Sequence, residues 1–191
     1  MRVRFGIRHV GTCADAKCAS LSKSTRVPHT GNVTRPGVVF TGASAGPVIS
    51  YFNSQASGAA ANQMYLLPCT AAACAVTAAV TTVDLGVVPS DAAVGLLVRG
   101  LPVFVTLNAN AETVVVAHCA DALCGAVSVV TDAALGAPAM GTCVPGMCAS
   151  AFLGTNGLPS CVFGGYDGLN LLRCSNEFCV PYVGAGGMTS T

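Results

Sequence analysis

Short apolar or alternating blocks, interrupted by Gly, Pro, Asn and Asp, set the pattern of this chain. Blocks of that length and β-branched content predict strands and tight turns rather than long helices. Four of them precede a pair of cysteines: Val3-Arg-Phe-Gly-Ile-Arg-His9, Met64-Tyr-Leu-Leu67, Thr113-Val-Val-Val-Ala-His118 and Leu169-Asn-Leu-Leu-Arg173. Upstream of three pairs lies a second block: Gly46-Pro-Val-Ile-Ser-Tyr51, Gly100-Leu-Pro-Val-Phe-Val105 and Gly157-Leu-Pro-Ser-Cys-Val162. Each follows a short apolar run and a turn. Before the last of them, Asn156-Gly157 is expected to supply the positive φ values of a tight hairpin. After the pairs comes a further strand, as in Ala75 to Val83 and Gly125 to Thr131, ending in Leu85-Gly86 and Leu135-Gly136.

One period therefore holds four strands. In the middle copy they are predicted at Val94 to Val98, Pro102 to Leu107, Thr113 to His118 and Gly125 to Thr131, an up-down meander of about 50 residues, the size of a propeller blade. The expected fold is all-β: tandem four-stranded antiparallel meanders, propeller-blade-like, with three complete units and a half unit at the N-terminus. The period divides a single repeat domain, 1–191, into a half unit 1–37 and units 38–86, 87–136 and 137–191. Three complete sheets are fewer than the 4 to 8 of a closed propeller. An open array, or strands supplied from elsewhere, is expected instead.

The cysteines sharpen this picture. Cys13/Cys18, Cys69/Cys74, Cys119/Cys124 and Cys174/Cys179 share one internal spacing, and successive pairs begin 56, 50 and 55 residues apart. Each pair brackets a hairpin loop, where a bridge joins strand ends already close enough to link. Zinc would need four ligands converging on one ion, which pairs on separate sheets cannot supply. Each short bridge is worth about 2 to 3 kcal/mol in the chain-entropy view. Cys143, Cys148 and Cys161 form an odd set. The spacing favours Cys143 with Cys148 and leaves Cys161 as a free thiol, with Cys148 to Cys161 across the Asn156-Gly157 hairpin as the alternative.

The Gly-Leu-Pro-Val element at Gly100, followed by a strand and by Ala117-His-Cys-Ala-Asp-Ala-Leu-Cys124, resembles the tandem repeats of large secreted bacterial and algal proteins. That resemblance spans most of the chain in three copies, and it implies a propeller-like architecture and a surface location without implying a chemistry. The third copy departs from it through an insertion of about seven residues carrying Cys143 and Cys148. There, Cys161 also stands where the other copies have Ile49 and Phe104.

Composition removes several functions. With nine Lys and Arg against eight Asp and Glu, and a formal net charge of +1, the chain has no basic footprint for nucleic acid. Tyr65 to Val83 and Ala133 to Tyr166 are long and uncharged, but Pro68 and repeated Thr interrupt the first. Gly, Pro138, Pro145 and Pro159 interrupt the second, so no membrane span is expected. Eleven cysteines fit an oxidising compartment, extracellular or at the cell surface. Met1 to Arg8 has no apolar core, so the expectation is a removed signal or a segment of a longer chain.

Catalytic candidates are sparse. Cys161 as a nucleophile would need a neighbouring base, and its plain reading is a buried small apolar residue. His9, His29 and His118 have no identifiable orienting partner. His118 shares its repeat position with Thr12, Pro68 and Arg173, so that position tolerates any chemistry. No acidic pair suggests glycoside hydrolysis. Asp15, Asp121 and Asn176 recur two residues after the first cysteine, as turn residues bonding their own backbone, and one such loop offers too few oxygens for calcium. Asn32-Val-Thr34 is a sequon and places a candidate glycan at Asn32. The expectation is a non-enzymatic, cofactor-free structural or adhesive protein. It would self-associate into a homo-oligomer or fibre by head-to-tail strand complementation. A propeller-type module for glycans or another ligand is the alternative.

Overall fold

A computed structural model of the chain describes residues 9–13, 21–26, 32–41, 46–54, 56–69, 79–89, 93–108, 113–132, 150–165, 168–177 and 182–188. Among these residues fourteen strands make up four antiparallel sheets. Strands β1 (His9–Cys13) and β2 (Leu21–Arg26) form a two-stranded sheet. The first four-stranded sheet holds β3 (Val33–Phe40), β4 (Pro47–Asn53), β5 (Gln63–Pro68) and β6 (Thr81–Asp84). The second holds β7 (Val94–Val98), β8 (Leu101–Asn108), β9 (Thr113–Cys119) and β10 (Val127–Asp132). The third holds β11 (Ser150–Leu153), β12 (Pro159–Gly165), β13 (Gly168–Cys174) and β14 (Tyr182–Met188).

Each four-stranded sheet is a meander in sequence order, so every strand pairs with its chain neighbour. The fold is thus all-β, with three complete four-stranded units and a two-stranded one. Among the described residues no helix is long and apolar enough to cross a membrane.

Two local differences from the expected strands have physical causes. The N-terminal strand runs His9–Cys13, opposite Leu21–Arg26, while Val3 to Arg8 lies outside the described residues. The first full sheet opens at Val33, ahead of the period boundary at 38, because a bulge between Thr34 and Gly37 carries pairing with β4 past Pro36 to Val33 opposite Asn53. Proline cannot donate to a ladder, and a bulge is where a strand accommodates it.

The inner strands are apolar on both faces because the sheets stack face to face. In β4, six successive residues from Pro47 to Phe52 are buried, and Val103 to Leu107 and Val114 to Cys119 are buried likewise. Val48, Phe52, Met64 and Leu66 of the first sheet pack with Phe104, Val115 and Ala117 of the second in one core. Burying a side chain of this size stabilises by about 1.5 to 3 kcal/mol.

The first strands of successive sheets lie side by side, β3 against β7 and β7 against β11. Glycines permit that approach. A Cβ on Gly37 would overlap the Ala93 carbonyl oxygen and lie 2.6 Å from Ser50 Oγ, and one on Gly95 would lie 2.8 Å from Val39 Cβ and 2.9 Å from the Val38 carbonyl oxygen. The β3–β7 contact is therefore made backbone to backbone, with no room for a methyl group.

Two hairpin turns fix register. Between paired Val98 and Leu101, Arg99 (φ 50°) and Gly100 (φ 83°) are both left-handed, the signature of a two-residue type I′ turn. In the β11–β12 hairpin only Gly157 is left-handed, at φ 73°. There the Gly157 N–H donates to the Gly154 carbonyl (2.9 Å), and Asn156 Oδ1 accepts from Leu158 N–H (3.1 Å). Asn156 thus serves as an acceptor rather than as a second positive-φ residue, and the loop is the longer, bulged kind.

Candidate functional site

The most fully specified loop is the one that joins β9 to β10. A disulfide links Cys119 and Cys124 with Cα atoms 4.8 Å apart. Between them the Asp121 carboxylate accepts backbone N–H bonds from Leu123 (2.8 Å), Gly125 (3.2 Å) and Ala126 (3.3 Å). The Cys124 N–H donates to the Asp121 carbonyl at 3.1 Å. The Gly125 N–H, with those of Leu123, Ala126 and Cys124, holds the carboxyl below its ordinary range, against a smaller opposing effect of burial. Cys124 itself takes φ 55°, a conformation an isolated residue would avoid at about 1 to 2 kcal/mol. Asp121 is thus a turn residue whose oxygens are spent on its own loop, leaving an exposed, closed feature with no visible chemistry.

Cys69 and Cys174 are also disulfide-bonded. Their expected partners Cys74 and Cys179 lie outside the described residues, as do Cys18, Cys143, Cys148, Asp15 and His29, and the side chains of Cys13 and His9. Cys161 is free and fully buried in β12. It lies opposite Ala151 and Leu172, as Phe104 lies opposite Gly95 and Ala117 and Ile49 opposite Val38 and Leu67. Burial pushes its thiol up to about 12, so it stays protonated at neutral pH and is a poor nucleophile. His118 is buried in β9 opposite Val103 and Ser128. Among the described residues no three His, Cys, Asp or Glu side chains gather as a metal site would require. Asn32 is exposed just before β3, and its carbonyl accepts from Ser54 N–H at 3.1 Å.

A cleft of about 410 Å³ opens at this same end of the first sheet. Its polar wall is Thr34 and Arg35 from β3 with Asn53 and Ser54 from the end of β4; Val88 and Pro89, in the segment leading to the second sheet, close the other side. Ala56 and Ala61 add an apolar patch. Arg35 occupies the bulge of β3 at φ 49°, a strained conformation for any residue with a Cβ. Its Nη1 donates to the Pro89 carbonyl at 2.6 Å, so the side chain bridges the sheet and the segment beyond it. Among the described residues no carboxylate lies in ion-pairing distance of Arg35, and no Asp or Glu lines the cleft.

Sequence reasoning missed Arg35. The residue before a proline is normally extended, so Arg35-Pro36 reads as ordinary strand or loop, and nothing in the local composition announces a left-handed arginine. The volume is within the range of about 300 to 1,000 Å³ that small-molecule sites occupy. No protein-family model, curated protein or solved structure matches this chain at a significant level.

Proposed function

We propose that this chain is an extracellular structural or adhesive repeat protein, a subunit of a filament or surface layer that assembles head to tail. One observation carries the reading: among the described residues β1 and β2 form a sheet of two strands, while each of the other three sheets has four. Among the described residues β1 pairs only with β2, and an edge left open in this way would be a template for strands from another copy. A contact of that kind joins unlike surfaces, does not close on itself and propagates a fibre.

Secondary support comes from the disulfides at Cys119–Cys124, Cys69 and Cys174, which suit an oxidising exterior. Exposed Phe40, Phe152 and Leu153 add apolar surface that a partner would cover. In this reading the chain is not an enzyme and uses no cofactor, and Asn32 carries a glycan when the host glycosylates secreted sequons.

The test is assembly as a function of concentration. Light scattering after gel filtration and negative-stain microscopy should show lengthening fibres as protein is concentrated, and hydrogen exchange should slow at His9–Cys13 on assembly. A chain that stays monomeric at every concentration, with unchanged exchange at β1, refutes the proposal. A second reading, a ligand-binding module, is favoured by the cleft at Arg35 and its position at one end of a sheet, where loops of such folds carry binding.

A further inference from the structure

We infer that the cleft at Arg35 binds a carboxylate-bearing sugar, a uronic acid unit of an acidic glycan. The inference rests on the ligand-binding reading and names its ligand class; it is independent of assembly.

Three features of the cleft converge on this chemistry. The first is a preorganised cation. A bulge re-aims a side chain out of the regular pleat, and here it turns Arg35 into the cleft at a φ of 49°. Strain of this kind persists only where the surroundings hold it in place, and it gathers at binding sites. The bond from Nη1 to the Pro89 carbonyl immobilises the guanidinium with the rest of its five donors available, so little rotamer freedom is lost on binding.

The second feature is the charge balance. Among the described residues that line the cleft there is no Asp or Glu, and Arg35 is the one cation. A planar guanidinium matches a planar, singly charged carboxylate in two parallel hydrogen bonds. A phosphate, carrying up to two charges, would be served by further basic residues, and among the described lining residues there is none besides Arg35.

The third is the surface around the cation. Asn53 and Ser54 supply an amide and a hydroxyl at one side, and Ala56, Ala61 and half-exposed Val88 supply apolar contact at the other. A pyranose ring has the same division, with hydroxyls at its rim and C–H groups on its faces. Asn and Ser can each donate and accept, as sugar hydroxyls demand.

The experiment is calorimetric titration of the full chain with trigalacturonate, with the neutral galactose trimer in parallel and inorganic phosphate as a third arm. The wild-type protein should bind trigalacturonate, bind the neutral trimer at least tenfold more weakly, and gain nothing from phosphate. Arg35→Gly should abolish binding with only a small shift of the thermal midpoint, since glycine relieves the left-handed backbone and so offsets the lost bond to the Pro89 carbonyl. Asn53→Ala should weaken binding severalfold, and Arg35→Lys should weaken it more than Asn53→Ala does. The inference fails if wild type binds no uronate, if the neutral trimer binds equally well, if phosphate alone displaces the trimer, or if Arg35→Gly binds as wild type does. None of these outcomes touches fibre formation, which is read separately by microscopy.

Discussion

Alanine at Gly37 should break the molecule where its sheets meet. Gly37 lies opposite Ser50 in the β3–β4 ladder, and an added methyl would overlap the Ala93 carbonyl oxygen and approach Ser50 Oγ to 2.6 Å. Neither neighbour can step aside. Ser50 is fully buried and Ala93 is 1% exposed, and one of the two clashing groups is backbone. Relief must come from moving β7 away from β3.

The backbone at Gly37 is not left-handed, so alanine itself is tolerated there, and the loss of unfolded-state freedom would favour folding by about 0.4 to 1 kcal/mol. Overpacking costs about 1 to 3 kcal/mol in a well-filled core, and because one clashing group here is fixed backbone the upper part of that range applies, a net loss of about 2 kcal/mol. Gly95→Ala, which presses on Val39 Cβ and the Val38 carbonyl, should lose a similar amount. The two clashes are relieved by one displacement of β7, so the double variant should lose less than the sum of the singles. Urea denaturation followed by far-ultraviolet circular dichroism reads all four proteins, with the midpoint falling at unchanged slope. If both single variants keep the wild-type midpoint, or if the losses add without coupling, β3 and β7 are not in backbone contact and the stacking described above is wrong.

Three further outcomes follow from the loops and the buried thiol. Cys161 ionises near 9.0 when unfolded and at about 12 when folded, so its contribution is fully present below pH 9 and is lost as pH rises toward 12, by about 1.4 kcal/mol per unit at most. Denaturation midpoints of Cys161→Ala should fall less steeply above pH 9 than those of wild type, with the slope left in the variant coming in part from Tyr51, which burial pushes up to about 12. Cys119→Ser with Cys124→Ser should lower stability by about 2 kcal/mol on loop-closure grounds, and identical melts of the two proteins under non-reducing conditions would contradict this. Asp121→Ala should speed amide exchange at Leu123, Gly125 and Ala126, with Asn less severe than Ala. Because its folded-state carboxyl is held low, wild type should lose this protection only as pH falls below the ordinary carboxylate range, and exchange in both variants equal to that of wild type would show the carboxylate to be idle.

Much of the architecture was legible because its signals are local and repeated. Thr113 to His118 is a β-branched run closed by cysteine, and it became β9 to within a residue; the Gly-Leu-Pro-Val block became β8. What escaped the sequence depends on backbone conformation that side-chain chemistry does not announce. Arg99-Gly100 makes a type I′ turn although arginine is not a preferred left-handed residue, because the strands on either side demand the twist of that turn. Asn156-Gly157 carries the preferred signal and yet uses only its glycine. The strand expected after Cys74, Ala75 to Val83, is described only as Thr81–Asp84, and 70–78 lies outside the described residues. The Arg35 cleft escaped for a different reason: its walls come from positions 34 to 89, so no window short enough to show a motif contains it.

The repeat itself explains why the cleft sits where it does. At matched register the three first strands differ in length: β3 has eight residues, β7 five and β11 four. Counting from Val38, opposite Ile49, and from Gly95, opposite Phe104, β7 begins one residue before this position, whereas β3 continues for five. The bulge, Arg35 and the pairing of Thr34 with Phe52 all belong to that extension. A shared core, with Val48 answered by Val103 and Ser50 by Val105, constrains the period to one register, since a slip of one residue would exchange the two buried faces of each inner strand and set side chains of the wrong size against the neighbouring sheet. Residues beyond the shared register carry no such constraint and can be shaped for a ligand at little risk to folding. The extension of β3 is therefore the part of this sheet where removing a side chain should change binding without changing stability, and the Arg35→Gly and Gly37→Ala variants, two residues apart, should fall on opposite sides of that line.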